Sequence, residues 1–456
     1  MRVLTTLCLL LLLPPAFANP HWNPQKAPKD SSYASSRLRL AGIDQLKTVP
    51  ADRGSDILSI QVDWQEGEQY TVSKIVMDTS GTPALVARSA HKPKWGSYLG
   101  ILKDSSGQNI YYDSVGTGRE YRKLTRAMSF RFPLPTQNMI FEMYAENPQS
   151  GVMEKVITTN ISMKRLPPNQ PPVPGIEVKE LAIASKSPSL RVNFYAEGYS
   201  MAQKELFWQH AQKAVRTLQG ENFPGVAYMS FYAVFHESKT SLGRAKDLGL
   251  PIPNRDSFLG LYFPYWDNFG RWNNVIYPTR EGKLRYNLAS VPYDYPIVLV
   301  NSDGYWGVGN YMAFTAIPAA NNYYFNYLLL HEFGHFFGLN EEYQGGGRTE
   351  LEFAPGIAEP WSPNITFLTD KRYEHLKWNM FVSKQTHLPT PRREWQDNPA
   401  RYGAYLGGYA DSTSTLSQSH IPGLNCTMES KKHFCGICRH GIEEVIAFSL
   451  GRWIAR

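Results

Sequence analysis

Between residues 51 and 166, apolar side chains alternate with polar ones in short runs. The alternation is clearest over four segments, which are 58–64, 128–132, 139–143 and 157–163. A period of two places the apolar side chains on one face of a strand, and glycine, proline, asparagine and aspartate separate the runs. The pattern therefore predicts an antiparallel β-sandwich domain over residues 51–166. This part of the sequence has no cluster of acids, histidines or cysteines, so we assign it a structural or substrate-positioning role.

A proline-rich stretch over residues 167–184 predicts a stiff linker, and the pattern changes beyond it. Ser200 and Gln203 form a capping-box sequence ahead of apolar residues at helical spacing. The predicted elements are strands at 190–195, 227–235 and 297–301, an edge strand at 304–316, and helices at 201–218 and 323–339. Alternating strands and helices predict an α/β domain over residues 185–456. The whole chain is thus expected to have a mixed α+β fold.

The N-terminus has the features of an export signal. Arg2 precedes an apolar run over residues 3–13, and Ala16 and Ala18 provide a small-residue cleavage site. We therefore predict a signal peptide over residues 1–18, a loosely structured segment over 19–50, and a secreted or periplasmic mature protein. No apolar run is long enough to span a bilayer, so no stable membrane anchor is expected.

The formal net charge is +7, and the basic residues are scattered, with no run of five or more. A scattered positive charge favours a solvated, mildly basic surface over a nucleic-acid interface. We therefore expect no nucleic-acid partner.

Candidate chemistry is concentrated in the predicted helix at 323–339. His331 and His335 are four residues apart, so both imidazoles lie on one helical face and reach one metal ion, with Glu332 beside it. Zn²⁺ accepts nitrogen ligands, and a catalytic zinc site keeps one position for water. The pattern predicts a zinc peptidase in which Glu332 takes a proton from the attacking water and passes it to the leaving amine. The predicted edge strand would bind an extended peptide by β-augmentation.

The third metal ligand is expected from the residues that follow the helix. Gly338 stands where a chain reversal with positive φ would return the backbone to the metal, and Glu341 then occupies the ligand position. Glu342 is the adjacent competitor, which would otherwise accept a hydrogen bond from a ligand imidazole. A thermolysin-like arrangement would use a later glutamate, and the candidates are Glu350, Glu352 and Glu359.

Three cysteines remain after removal of the signal peptide: Cys426, Cys435 and Cys438. In an oxidising compartment, one disulfide with one free thiol is the first expectation. A structural zinc site that also uses His433 or His440 is the alternative.

Several separated stretches resemble the IgA peptidase family of bacterial metallopeptidases, which are metzincin-like zinc enzymes. The stretches that carry the resemblance are LRVNFYAEGYS, IVLVNSDGYWGVG, HEFGHFFGLNEEY, and CTM and FCGICR near the C-terminus. The resemblance implies His331, His335 and Glu341 as zinc ligands, Glu332 as general base, and Met428 as the methionine of a turn beneath the metal. Glu429 and Ser430 follow this methionine without the tyrosine that many metzincins have there, so the residue that stabilises the oxyanion stays unassigned.

Three functions are compatible with these observations. The leading hypothesis is an exported zinc endopeptidase that acts on protein or glycoprotein substrates. The alternatives are a catalytically silent adhesin that binds glycans or proteins, and a zinc hydrolase or amidase that acts on cell-wall peptides. The presence of His331, Glu332 and His335 together favours an active enzyme, because a silent domain does not need the base.

Overall fold

The computed structural model describes most of the chain after residue 56. The described ranges are 57–65, 69–78, 96–116, 127–146, 153–167, 173–240, 257–262, 276–278, 281–320, 322–343, 362–367, 372–408, 419–430 and 433–450. The predicted signal peptide, the 19–50 segment and the candidates Glu350, Glu352 and Glu359 lie outside these ranges. Within them, no helix combines the length and the apolar character that crossing a bilayer requires.

Two antiparallel sheets form from the N-terminal strands. One sheet has the order β2-β1-β5 and the other has the order β4-β3-β6-β7. The strands are β1 Ile57–Gln65, β2 Gln69–Asp78, β3 Tyr98–Lys103, β4 Asn109–Val115, β5 Ala127–Pro133, β6 Met139–Glu146 and β7 Met153–Ile161. The four strands predicted from alternation correspond to β1, β5, β6 and β7, and they are confirmed.

The apolar faces of these two sheets share one hydrophobic core. Phe130 of β5 and Phe141 of β6 are fully buried, and their ring centroids are 5.6 Å apart. Gly100 of β3 faces both rings, and a Cβ atom there would lie 2.7 Å from Phe130. The glycine therefore lets the two sheets approach closely at this point.

A third sheet forms from the strands that follow, in the order β14-β15-β13-β9-β10-β8. Its four central strands are parallel, and the strands at both edges are antiparallel to their neighbours. The strands are β8 Glu177–Ala182, β9 Leu190–Glu197, β10 Met229–Phe235, β13 Tyr295–Val300, β14 Val308–Asn310 and β15 Phe314–Pro318. The short pairs β11 Leu261–Tyr262 with β12 Tyr277–Pro278, and β16 Tyr405–Leu406 with β17 His420–Ile421, form two small sheets.

Five α-helices are present in the described part of the chain. They are α1 Lys204–Gly220, α2 Glu281–Leu288, α3 Phe325–Phe336, α4 Arg392–Asp397 and α5 Gly436–Ser449. The predicted capping box is confirmed, because the backbone N–H of Ser200 donates to Oε1 of Gln203 at 3.1 Å. The molecule thus has a mixed α+β fold with several sheets and few helices.

The prediction of a single edge strand over residues 304–316 is wrong in one respect. Instead of one strand, the structure has a short hairpin of β14 and β15, with β14 at the sheet edge. Met312 lies in the turn with a φ of 53°, which ends the extended conformation. The edge position itself is confirmed, and it belongs to the three residues of β14.

Candidate metal centre

Helix α3 brings two histidines to one point. His331 and His335 are one turn apart, and their Nε2 atoms are 3.2 Å from each other. One side of the helix is apolar and packs in the core beneath the six-stranded sheet, where Leu329, Phe333 and Phe336 are fully buried. This packing holds the helix in place and leaves the imidazoles on its other side.

A chain reversal after the helix brings a carboxylate to the same point. Gly338 has a φ of 88°, as predicted, and the left-handed conformation suits glycine because it lacks a Cβ atom. The carboxylate of Glu341 then faces both rings. Its Oε2 lies 3.1 Å from Nε2 of His331, and its Oε1 lies 3.2 Å from Nε2 of His335.

The other ring nitrogens have hydrogen-bond partners that fix the tautomers. Nδ1 of His331 lies 3.1 Å from the carbonyl oxygen of Thr427, and Nδ1 of His335 lies 2.8 Å from that of Leu339. A carbonyl oxygen only accepts, so Nδ1 of each ring donates. When the rings are neutral, as they are in a metal complex, each Nε2 therefore offers its lone pair to the shared point, which is the arrangement that metal-binding histidines have.

The geometry of these three side chains fits a zinc ion. Metal bonds of about 2.1 Å in a tetrahedral site place neighbouring ligand atoms about 3.4 Å apart. The donor atoms of His331, His335 and Glu341 lie 3.1–3.2 Å apart in the pairs given above. One ligand atom of each residue lies within 4.8 Å of those of the other two. Two nitrogens and one carboxylate oxygen also match the ligand types of catalytic zinc sites.

The electrostatics of the three groups favour a positive charge between them. Burial works to lower the pKa of His335, but the Glu341 carboxylate outweighs burial and raises this pKa to about 9. Burial favours the protonated form of Glu341, but both imidazoles oppose it and hold the pKa of this acid below its usual range. The carboxylate is therefore ionised and attracts cationic partners.

Glu332 is buried against a glycine-bearing segment of the sheet edge. A Cβ atom on Gly307 would lie 2.3 Å from Oε1 of Glu332, and one on Gly309 would lie 1.9 Å from its backbone oxygen. Only glycine permits this approach of the edge to α3. Burial raises the pKa of Glu332, although both nearby imidazoles act in the opposite direction. A raised pKa brings a carboxylate closer to the range of an efficient general base.

The close contact between Gly307 and Glu332 leads to a testable prediction. The Gly307→Ala variant must displace the Glu332 carboxylate, because the new methyl group and the carboxylate oxygen cannot both fit. A shift of about 1 Å in a catalytic group costs up to about 100-fold in rate, so we expect kcat to fall by about 10- to 100-fold. Steady-state kinetics on a peptide substrate measures this effect.

Gly220→Ala is a matched control, because a Cβ atom at this end of α1 meets no atom within 4 Å. It should leave kcat unchanged. An unchanged kcat in the Gly307→Ala variant would show that the position of Glu332 does not matter for catalysis.

Two tyrosines at the centre were missed by the sequence analysis. The hydroxyl of Tyr327 lies 3.3 Å from Nδ1 of His331, and it is four residues before this histidine, so helical spacing would have indicated it. The ring of Tyr343 lies beside that of His331, with their centroids 6.3 Å apart, and burial and the Glu341 carboxylate raise the pKa of the Tyr343 hydroxyl. This residue follows two glutamates in an irregular segment, and no pattern in the sequence indicated its contact.

A turn near the C-terminus lies beneath α3. Met428 is fully buried, and its sulfur would lie 2.8 Å from a Cβ atom on Gly334 of the helix. Its carbonyl oxygen accepts a hydrogen bond of 2.9 Å from the backbone N–H of Glu342. Together with the Thr427 carbonyl on His331, these contacts place the turn directly under the histidine pair.

Glu342 points away from the histidines. Its Oε1 accepts a hydrogen bond of 2.8 Å from Asn364 and lies 2.9 Å from Sγ of Cys438. Of the two adjacent glutamates, the structure therefore brings Glu341 to the imidazoles. Glu342 instead lies within 4.8 Å of three cysteine sulfurs, which belong to Cys426, Cys435 and Cys438.

The structure differs from the prediction made for the cysteines. All three thiols are free, so the expected disulfide is not formed. The alternative with a histidine is also corrected. The His433 side chain is 84% exposed and pairs with Glu221 at 3.0 Å, and Nε2 of His440 lies 3.5 Å from Glu444. Both imidazoles are directed to other partners, and the group that lies beside the three sulfurs is the buried carboxylate of Glu342.

Comparison with known families identifies the part of the chain that contains the candidate metal centre. Residues 178–401 match the family model described as IgA Peptidase M64. The chain carries an IgA peptidase M64 domain. The family resemblance found in the sequence is thereby confirmed. A comparison with curated proteins gave no match.

The IgA peptidase M64 match covers the six-stranded sheet, α3 and the four candidate residues His331, Glu332, His335 and Glu341. Members of this family are metal-dependent peptidases, so the protein is a hydrolase with protein substrates. The matched segment ends before Met428 and the cysteines. The family match therefore says nothing about Cys426, Cys435 and Cys438.

Proposed function

We propose that the protein is an exported zinc-dependent endopeptidase that hydrolyses peptide bonds in protein or glycoprotein substrates. His331, His335 and Glu341 would hold the ion, and Glu332 would act as general base. The observation that carries this proposal is the convergence of two Nε2 atoms and a carboxylate at separations of 3.1–3.2 Å, inside a segment matched by a peptidase family.

The proposed mechanism assigns a separate task to each side chain. When bound, the zinc ion acidifies water at the site and polarises the substrate carbonyl. Glu332 accepts a proton as the oxygen of this water attacks the carbonyl carbon, and it later donates that proton to the amine that leaves. The Thr427 and Leu339 carbonyls accept hydrogen bonds from the Nδ1 atoms and hold the two imidazoles in place.

The sheet edge supplies a place for the substrate. Strand β14 is the outermost strand, and Gly307 and Gly309 bring this edge against α3 beside Glu332. An extended peptide that paired with β14 would therefore pass close to the general base. This arrangement favours cleavage within a chain, because an added strand continues on both sides of the site.

The domain organisation belongs to the same proposal. We interpret residues 51–166 as a β-sandwich, 167–184 as a linker and 185–456 as a metzincin-like zinc peptidase domain, with Met428 as the methionine of its turn. The shared core of the two N-terminal sheets and the position of Met428 under α3 support this interpretation. Export after cleavage at Ala18 would place the enzyme in the periplasm or outside the cell.

Chelation tests the proposed function. The purified protein should cut an unfolded protein mixture at internal peptide bonds, lose this activity after dialysis against a chelator, and recover it when Zn²⁺ is added. Mass spectrometry of the products gives the cleavage sites. Addition of Mg²⁺ is the control, and it should not restore activity, because Mg²⁺ prefers oxygen ligands.

The two alternatives predict different products in this experiment. A silent adhesin would cleave nothing before or after chelation. An amidase would release fragments only from cell-wall peptides supplied in parallel. Either of these results would contradict an endopeptidase.

A further inference from the structure

The four side chains around Glu342 form a second cluster, which we call the cysteine cluster: Glu342, Cys426, Cys435 and Cys438. One potential ligand atom of each lies within 4.8 Å of those of the others. Glu342, Cys426 and Cys438 are 0% exposed, and Cys435 is 8% exposed. A carboxylic acid and three thiols thus meet in a site from which water is largely excluded.

Hydrogen bonds within the cluster leave ligand capacity unused. Among the described residues, Oε2 of Glu342 is buried without a hydrogen-bond partner. Burial of a polar atom without a partner costs free energy, so an unsatisfied carboxylate oxygen in a native core indicates a missing ligand. The oxygen belongs to a fully buried side chain that is otherwise held in place by Asn364 at 2.8 Å.

The backbone around the sulfurs suits thiolates. The N–H of Cys435 donates to Sγ of Cys426 at 3.4 Å, and the N–H of Cys438 donates to Sγ of Cys435 at 3.4 Å. Cys435 directly precedes α5, and Cys438 lies in its first turn. The N-terminal end of a helix carries partial positive charge and favours the anionic form of a cysteine.

We propose that Cys426, Cys435, Cys438 and Glu342 bind a zinc ion in a closed structural site. Three sulfurs and one carboxylate oxygen give the four ligands that such a site requires. Zinc–sulfur bonds of about 2.3 Å place tetrahedral sulfurs about 3.8 Å apart, and this separation fits the 4.8 Å limit of the cluster. Each thiol that binds releases its proton to solvent.

A disulfide is the competing outcome for these cysteines. It would join two sulfurs and require an oxidant that removes two hydrogens, and it would leave the third thiol and the Glu342 carboxylate unexplained. The convergence of all four groups, together with the free state of the thiols, favours a metal ion. The spacing Cys435-x-x-Cys438, with Cys426 a few residues earlier, also matches the ligand pattern of structural zinc sites.

The proposed ion would clamp the segments that support the candidate metal centre. Glu342 is adjacent to Glu341, and Cys426 is adjacent to Thr427, whose carbonyl oxygen accepts from His331. The ion would therefore join the segment after Gly338 to the turn beneath α3 and to the start of α5. It acts as a positioning element, because it touches no reacting atom.

Metal stoichiometry in a variant without the histidine pair tests the inference independently of the proposed catalytic ion. The full-length variant His331→Ala/His335→Ala should retain one zinc per chain by elemental mass spectrometry. Adding Cys435→Ser to this variant should remove that zinc. His433→Ala is the control in the same background and should retain it, because this imidazole is exposed and pairs with Glu221.

A measurement on the wild-type protein covers the case in which the cysteine variant does not fold. Replacement of zinc by Co²⁺ should produce a sulfur-to-cobalt charge-transfer band, which His331, His335 and Glu341 cannot produce because none of them has sulfur. Absence of this band, or loss of all zinc from the histidine double variant while its circular dichroism stays native, would overturn the inference. A non-reduced intact mass lower by the hydrogens of a disulfide would overturn it as well.

The outcomes also separate the two proposals. One zinc in both the wild type and the histidine double variant would support the structural site and contradict the catalytic one. One zinc in the wild type and none in the folded double variant would support the catalytic site and contradict the structural one.

Discussion

Replacement of Glu332 by glutamine is expected to lower kcat by about 10²- to 10⁴-fold, which is the usual contribution of a general base. Glutamine has nearly the volume of glutamate, so the contact with Gly307 and the packing of α3 should persist. Its amide cannot accept a proton at neutral pH. Steady-state kinetics should therefore show the loss in kcat, while the metal content stays that of the wild type.

Glu205→Gln provides the matched control for this substitution, because Glu205 is exposed on α1 far along the chain from α3. It should have wild-type kinetics. If the Glu332→Gln variant hydrolysed peptides as fast as the wild type, Glu332 would have no part in proton transfer and the proposed mechanism would be wrong.

Replacement of His335 by alanine should remove both the ion and the activity. Loss of a residue that merely orients a ligand costs about 10- to 100-fold in metal affinity, so loss of the ligand itself should exceed about 100-fold. The substitution also leaves Glu341 with one imidazole in place of two. Competition with a chromophoric chelator measures the affinity, and kcat/KM should fall to the background rate.

His387→Ala is the control for the histidine substitution, because the His387 side chain is 78% exposed and pairs only at the surface with Glu394. Its zinc affinity should equal that of the wild type. A His335→Ala variant that bound the catalytic ion with wild-type affinity would show that the ion lies elsewhere.

Alternation predicted some strands and missed others for a physical reason. Strand β1 has one buried face, and strand β5 alternates apolar with polar side chains over residues 128–132, so the sequence indicates both. Strand β3 is buried on both faces, and its sequence YLGILK has no alternation to detect. The sheet edge was predicted as one long strand, because nothing in the sequence indicated the positive φ of Met312.

The local part of the candidate site was predictable. The spacing of His331 and His335 and the glycine at 338 depend on a single helix and the turn that ends it, so the sequence contains the relevant information. Which of the two adjacent glutamates, Glu341 or Glu342, faces the histidines depends on residues that are distant in the sequence. Asn364 and Cys438 hold Glu342 away from the histidines, and they lie 22 and 96 residues along the chain.

The same limit applies to the cysteines. The predicted export to an oxidising compartment favoured a disulfide. Nothing local indicated Glu342 as a fourth group, because it comes from a part of the chain that folds against the cysteines only in the tertiary structure. A glutamate beside a histidine motif was also more readily interpreted as a candidate for that motif. Long-range packing therefore decided both assignments, and no local pattern records it.

Anomalous X-ray diffraction at the zinc absorption edge tests the central claim most directly. Crystals of the protein should show an anomalous peak bonded to Nε2 of His331, Nε2 of His335 and a carboxylate oxygen of Glu341, at metal–ligand distances of about 2.0–2.2 Å. A structure in which no peak lies at that point, or in which a different carboxylate completes the histidine pair, would contradict the account.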